Sequence, residues 1–462
     1  MEKLTRVLGL RDLILFNIVA IPGLRWIAIA AAAGFSSLGL WVFAFLLFFV
    51  PQGLMVIELS TRYPEEGGLY VWTKKAFGDF HGFLSGWCYW SNNLVYYPSL
   101  LIYIGAMSAF ALGAPQLETN KLYMVLFTIA VLWIALLLNA IGMKVGRWVQ
   151  NIGSFGIWIP ITLLIILAAV SVAYYGQANE FSPGEVIPHL GELKTIAFFS
   201  VLCFGFAGLE LAPIMGEEIK NPRKNIPRAI IISGILITLI YLVGTYALLA
   251  ALPRKDISII TGVVQAIARV GERLGFAFTG NLVAILVVLS GLGAAGAWLG
   301  GTARILFVAG LDKHLPAPLA KVHPRWGTPH IAILLQGILS TVFIIMSFTG
   351  SSIKDAYMIL LDMVIVIYFI PYLYMFASLI ALRRKKVEAT KAILIPGGKT
   401  GAWLTSLVGF GATLLAIIMA TVPSEAIKNV WLYEAKVLGG CAAFLLTGTL
   451  IYLASKAKRK KP

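Results

Sequence analysis

Ala20-Ile21-Pro22-Gly23-Leu24-Arg25-Trp26 interrupts an apolar run at about 9–33. Gly205-Phe206-Ala207-Gly208-Leu209-Glu210 interrupts another at about 195–216. Proline removes an amide donor and clashes with the preceding helical turn. Two glycines make a helix cheap to unwind. The interrupted runs are the first and the sixth along the chain, which is the spacing of two five-helix halves. Gly/Pro-interrupted apolar segments at matching places in two halves point to a transporter binding site. Half-helix N-termini offer free amides to a carboxylate, and unwound carbonyls accept from an ammonium. A zwitterionic amino acid needs both.

Working outward, twelve apolar runs recur, at about 9–33, 37–59, 80–112, 121–143, 148–175, 195–216, 226–251, 277–305, 329–349, 355–381, 402–422 and 433–455. Each is long enough to cross a bilayer, which takes about 20 apolar residues. Backbone amides find no water in hydrocarbon, so the runs are predicted as helices. Of the 462 residues 13% are charged, against roughly 25% in soluble proteins, and the mean hydropathy is +0.87. A water-soluble enzyme is thereby excluded. The sequence predicts one all-α membrane domain over 1–462. Its first half spans about 9–176 and its second about 193–381, with two additional helices at 402–455. Pro22, Gly23 and Arg25 break the first run, which is also too long for a signal core, so it is read as a retained helix rather than a cleaved leader.

The formal net charge is +16. In a soluble protein this would indicate nucleic acid. With the N-terminus placed in the cytoplasm, however, the inside segments hold 27 Lys and Arg and the outside segments 9. Cytoplasmic loops carry such an excess, so both termini are expected inside a cell membrane, and no nucleic-acid partner is expected. The terminal Lys456-Ala457-Lys458-Arg459-Lys460-Lys461 run is read as part of this bias rather than as a lipid-binding patch.

Cys88, Cys203 and Cys441 lie in apolar stretches without a CxxC, and read as buried thiols. The histidines, at 81, 189, 314, 323 and 330, are scattered with no HExxH, so neither a metal nor a catalytic centre is expected. The absence of a Gly-x-x-x-x-Gly-Lys-Ser/Thr motif argues against direct ATP drive, and no cofactor is called for.

Charges inside the spans are functional suspects, because each costs about 2.5–3.5 kcal/mol at mid-bilayer. Arg25 and Glu210 sit at the two breaks. Arg25 either binds a substrate carboxylate, which guanidinium matches bidentately, or neutralises Glu210 as an ion pair. Glu210 is a candidate for coupling or gating. Glu58, near the end of its span, reads as structural, and Asp362 fits either role. Trp26, Trp90, Tyr96, Tyr97, Phe204, Phe206 and Trp298 crowd the same region. Phe204, beside the second break, is placed to cover substrate as a gate or to stack on a cation.

With these residues in view the chain resembles the amino acid–polyamine–organocation (APC) superfamily of permeases, over nearly its whole length. The stretch from Glu58 through Tyr63-Pro64-Glu65-Glu66-Gly67-Gly68-Leu69-Tyr70 is similar to the family's acidic, Pro, Gly-Gly, Tyr signature. Glu217-Glu218-Ile219-Lys220-Asn221-Pro222-Arg223 is similar to its loop after the sixth span. Ala303-Arg304 to Leu315-Pro316, then His323-Pro324-Arg325-Trp326-Gly327-Thr328-Pro329, resemble a third motif. The resemblance implies two inverted five-helix repeats plus two helices, and substrates that are amino acids or their amines. It puts Phe204 on the gating aromatic, Glu210 on the acidic residue that follows it, and Tyr97 on a third-span position facing the site. Pro396-Gly397-Gly398-Lys399 is similar to the glutamate/aminobutyrate antiporter branch. Two departures stand out. Pro22-Gly23-Leu24-Arg25 replaces the usual Gly-Ser-Gly and aliphatic residue, and the fifth span has no lysine at Gly156-Ile157, where many proton-coupled members carry one.

The sequence therefore predicts a secondary transporter, not an enzyme, that moves amino acids or amines by alternating access. Its expected substrate site comprises Ile21, Pro22, Gly23, Leu24, Arg25, Asn93, Tyr97, Phe204, Gly205, Ala207, Gly208 and Ser290, with Phe204 and Glu210 in coupling or gating. Exchange, proton coupling and sodium coupling stay open, as does the oligomeric state. The alternatives are a polyamine transporter of the same fold and a non-transporting sensor or accessory subunit.

Overall fold

Apolar runs with no water to bond must close their hydrogen bonds internally, and the computed structural model is helical throughout its described residues, with one isolated parallel bridge, Leu8 to Ile219. The structure describes residues 6–65, 67–141, 143–188, 193–312, 314–348, 353–385, 392–423 and 430–459. Glu66, His189 and the terminal Lys460-Lys461 lie outside them. The helices are α1 (Leu10–Ala20), α2 (Leu24–Ala32), α3 (Ser36–Ala44), α4 (Val50–Arg62), α5 (Leu69–Phe77), α6 (Asp79–Ala111), α7 (Lys121–Ala140), α8 (Met143–Tyr175), α9 (Leu193–Phe206), α10 (Leu211–Ile214), α11 (Pro222–Ala251), α12 (Gly262–Arg273), α13 (Thr279–Leu311), α14 (His330–Ser347), α15 (Ile353–Arg384), α16 (Gly398–Met419) and α17 (Val430–Arg459).

Ten segments among the described residues are long and apolar enough to cross a membrane. One of them joins α3 to α4 through a π-helical stretch at Phe45–Phe49. The pair α1 and α2, bent by 40° at its break, makes an eleventh if counted as one span. The run expected at 195–216 is instead the apolar segment Ile196–Phe206, a break, and the four residues of α10. Both breaks are sited more narrowly than the sequence reading had them. Leu24, Arg25 and Trp26 already belong to α2, and Gly205 and Phe206 still belong to α9. Unwound backbone is confined to Ile21–Gly23 and to Ala207–Glu210.

Burial sorts the bundle. The α6 span is the most enclosed, while α14, α16 and α17 expose most of theirs. Leu404, Leu446 and Leu450 stand outward on the last two helices. Facing water these side chains would form a costly apolar patch. Facing lipid they are in their own solvent.

Short helices follow the second and seventh expected runs: α5 caps one loop and α12 the other. The end of α10 and the loop after it bind the start of the chain. The Val7 and Leu8 amides donate to the Glu218 carbonyl at 2.9 and 3.1 Å, and the Lys220 amide to the Leu8 carbonyl at 2.8 Å. Beside them Arg304, 1% exposed, pairs with buried Glu218, Nε to Oε1 at 2.8 Å. Gly67 N donates to Ile214 O, Tyr70 bonds Asp312, and His314 packs on Tyr452 of α17. These contacts put the described beginning and end of the chain on one face of the bundle. On the same face buried Glu58 is held by Arg383, whose Nε donates to Oε1 at 2.7 Å, by Arg62 and by the Ile395 amide. Glu58 thus has the structural part read for it.

Candidate functional site

The break between α1 and α2 opens onto a cavity of about 30 Å³ lined by Ile21, Pro22, Gly23, Leu24, Arg25, Trp26, Tyr96, Leu100, Tyr103 and Ser290, among others. One water needs about 10–15 Å³ of such space, so the cavity around the break has room for a few waters and not for an amino acid. Leu24 and Arg25 begin α2. The first amides of a helix have no intrahelical carbonyl to bond and favour negative charge.

Arg25 is the one acid or base lining this cavity among the described residues, and it is 2% exposed. Its Nη1 reaches Ser99 Oγ at a long 3.4 Å. Its guanidinium lies 4.2 Å from the Trp26 ring centroid, 5.3 Å from Tyr96 and 6.0 Å from Tyr103. Aromatic faces attract a cation, the more so when it is desolvated, but they do not neutralise it. Among the described residues no carboxylate comes within 4.0 Å of Arg25. The Arg25–Glu210 ion pair is absent, because each side chain is committed to its own helix-break surroundings.

Glu210 is fully buried directly after the second break, and hydrogen bonds alone hold it. Oε1 accepts from the Tyr89 hydroxyl at 2.8 Å and from Tyr368, and Oε2 from Gln52 Nε2 at 3.0 Å and from Tyr372. A carboxylate offers about four acceptor sites, and four donors fill them. The Tyr372 hydroxyl also accepts the Gly208 amide at 3.0 Å. Gly208 has φ +124°, a region side-chain-bearing residues rarely enter, and a Cβ there would meet Ile21 Cγ1 at 3.0 Å. Glycine at this position lets the two breaks approach each other. One carboxylate thereby ties the second break to α4, α6 and α15.

Phe204 stands between the two charged centres. Its ring is 5.4 Å from Trp26 and 6.3 Å from Tyr96 on the Arg25 side, and 5.5 Å from Tyr368 on the Glu210 side, in edge-to-face geometries. Side-chain donors lie near three carbonyls beside the breaks. Trp298 Nε1 bonds Ala20 O at 3.1 Å, and the Tyr241 hydroxyl lies 2.6 Å from Gly205 O and 3.3 Å from Ile21 O.

Of the expected substrate residues, Ile21 to Arg25 and Ser290 line the cavity. Phe204, Gly205, Ala207 and Gly208 lie behind it at the second break, and Gly208 packs against Ile21. Asn93 and Tyr97 do not line the cavity. Asn93 donates back to the Tyr89 carbonyl at 2.9 Å, and the Tyr97 hydroxyl accepts from Gln336 at 3.1 Å. One residue along a helix is a turn of about 100°, and Tyr96 takes the inward place instead. Asp362 accepts from Tyr433 at 2.8 Å, between α15 and α17 and away from both breaks. Sequence reading missed Gln52, Tyr89, Ser99, Tyr103, Tyr368 and Tyr372. The Tyr368/Tyr372 pair, four apart and so on one helix face, was the available signal for an acid's partner.

An all-helical bundle of apolar spans, with two discontinuous helices meeting beside a small cavity that holds a buried guanidinium, is the architecture of a membrane transporter. The chain belongs to the amino acid permease family, whose model matches residues 8–439. It is 34% identical over 452 residues to an uncharacterized transporter of Legionella pneumophila, covering 96% of each chain. It is 25% identical to a probable agmatine/putrescine antiporter of Lactococcus lactis, covering 91% of this chain and 89% of that one. The crystal structure of MhsT in complex with L-phenylalanine shares the fold, with a TM-score of 0.67 at 14% identity, over 91% of this chain and 99% of that one. The protein is a multi-span membrane transporter of the amino acid permease family and not an enzyme.

Proposed function

We propose that the chain is a twelve-span secondary transporter that carries amino acids across the cell membrane by alternating access, with both termini in the cytoplasm. The observation that carries this reading is the meeting of the two helix breaks. Gly208 of the second packs on Ile21 of the first, beside a cavity bearing an unpaired guanidinium. The broken α1–α2 and α9–α10 pairs, with α5 and α12 in corresponding loops, support two repeats over about 9–176 and 193–381, followed by α16 and α17. The face holding both chain ends also holds the basic loops, which supports its cytoplasmic placement.

A cavity with room for a few waters cannot admit an amino acid without movement, so substrate enters and leaves as the breaks open. Phe204 is the gate. Glu210 couples that movement: a proton or a cation arriving there alters a carboxylate already full of donors, and so perturbs α4, α6 and α15 together with the second break. The test is flux in proteoliposomes of purified protein, with pH and sodium gradients imposed separately and a panel of amino acids and amines inside and outside. A non-transporting sensor would bind members of the panel without moving them.

A further inference from the structure

The charge balance at the first break identifies the kind of amino acid. We propose that the site takes a substrate of net charge −1, an amino acid with a second carboxylate, in preference to neutral or cationic ones. This rests on the transporter reading above.

Three observations converge. First, Arg25 is a buried cation with no carboxylate within 4.0 Å among the described residues, and the cavity lining adds no acidic side chain to compensate it. A buried unpaired charge is costly and calls for a counter-charge. Within the cavity lining at the first break, a zwitterion leaves a charge of +1, a diamine takes it to +3, and a dicarboxylic amino acid brings it to zero. Second, Glu210 is not in contact with Arg25 and is held apart from the cavity by its own partners. Its acceptor capacity is taken by Gln52 and three tyrosine hydroxyls, and none of these donors is a cation.

Third, the first break offers groups for two carboxylates alongside carbonyls for an ammonium. The free amide end of α2 suits one carboxylate, and the Arg25 fork suits the other. On the acceptor side Ala20 O is taken by Trp298. The single Tyr241 proton goes to Gly205 O, the shorter contact at 2.6 Å, and leaves Ile21 O at 3.3 Å as a break carbonyl open to an ammonium. Two anion sites beside an ammonium site match an amino acid such as aspartate or glutamate. They oppose agmatine or putrescine, whose cations would face Arg25.

The experiment is counterflow in proteoliposomes with glutamate, aspartate, glutamine, asparagine, serine, arginine and agmatine as competitors, for the wild type and for Arg25→Lys and Arg25→Gln. Aspartate or glutamate should compete best. Arg25→Gln should weaken the acidic competitors by about 10–100-fold, the loss of one charge-assisted bond, while their amides change little. Arg25→Lys should retain part of the preference. Exchange of neutral or cationic substrates with no acidic preference overturns the proposal and leaves the transporter reading standing, as does an equal loss for acids and amides in both variants. No exchange of any competitor by folded protein overturns both. Size-exclusion profile and thermal unfolding report folding of each variant.

Discussion

Gln52 on α4 donates to Glu210 at 3.0 Å, so a span of the first half holds the charge at the break of the second. The amide has the right chemistry for this: it adds a donor without adding a cation, and it serves Tyr372 as well at 3.0 Å. Replacing the carboxylate by an amide keeps one accepting oxygen and sets two N–H groups against the two donors at the other position. Glu210→Gln is therefore expected to strand at least one buried donor, at a cost of about 1–3 kcal/mol, and to slow transport at least tenfold with a flattened pH profile. Uptake rates across pH check this; an unchanged rate and profile would remove Glu210 from coupling.

Gly208 supplies the geometry on which that network depends. Its φ of +124° strains any side-chain-bearing residue, and a Cβ there would crowd Ile21 at 3.0 Å. Gly208→Ala is expected to destabilise the protein by about 1–3 kcal/mol through backbone strain. It should also displace the amide that Tyr372 accepts. Thermal unfolding in detergent measures the first effect. A transport rate reduced beyond what the folded fraction explains measures the second. Full stability and full rate in the alanine variant would mean that the break tolerates an ordinary residue.

Phe204 touches both charged neighbourhoods, so its ring, rather than its bulk alone, is expected to matter. Phe204→Leu keeps the site apolar and avoids the large cavity of an alanine. It loses edge-to-face contacts worth about 0.5–1.5 kcal/mol each with Trp26 and Tyr368. The expected result is a several-fold rise in KM and faster substrate leak from preloaded vesicles, with unfolding temperature little changed. Unaltered kinetics would exclude the gate.

Most of the architecture was legible because bilayer thickness sets span length and hydrocarbon forbids unpaired backbone. Pro22 and Gly208 marked the breaks for the same local reasons that the structure uses them. The site's partners were harder to read, since they come from spans distant in sequence. Nothing near Glu210 in the chain announces Gln52, 158 positions earlier, or Tyr372, 162 later. Helical phase was also beyond reach on a span as enclosed as α6. Where almost every face is buried, the apolar pattern does not tell the inward Tyr96 from Tyr97. Arg25 illustrates the opposite case. Its position was evident from sequence, but its lack of an acidic partner needed coordinates, because an ion pair with Glu210 was as consistent with the sequence as solitude.

The buried pair of Arg304 and Glu218 offers a test of how the terminal face closes. Glu218 joins three elements: its carboxylate takes Arg304 of α13, while its carbonyl takes the Val7 and Leu8 amides ahead of α1. Opening that face must separate α1 from the loop after α10, so this contact opposes opening. Removing one partner of a buried pair leaves an uncompensated charge and costs about 3–5 kcal/mol. Arg304→Ala is therefore expected to be strongly destabilising, and Glu218→Gln milder, because the amide keeps an oxygen to accept from Arg304. In the milder variant the closed form loses most and the open form little. Cysteine-reactive labelling of a residue introduced at Ala20, in an otherwise cysteine-free protein, should then proceed faster from the face that carries the chain ends. Equal labelling in Glu218→Gln and its parent would mean that this ion pair stabilises both forms alike and does not gate access.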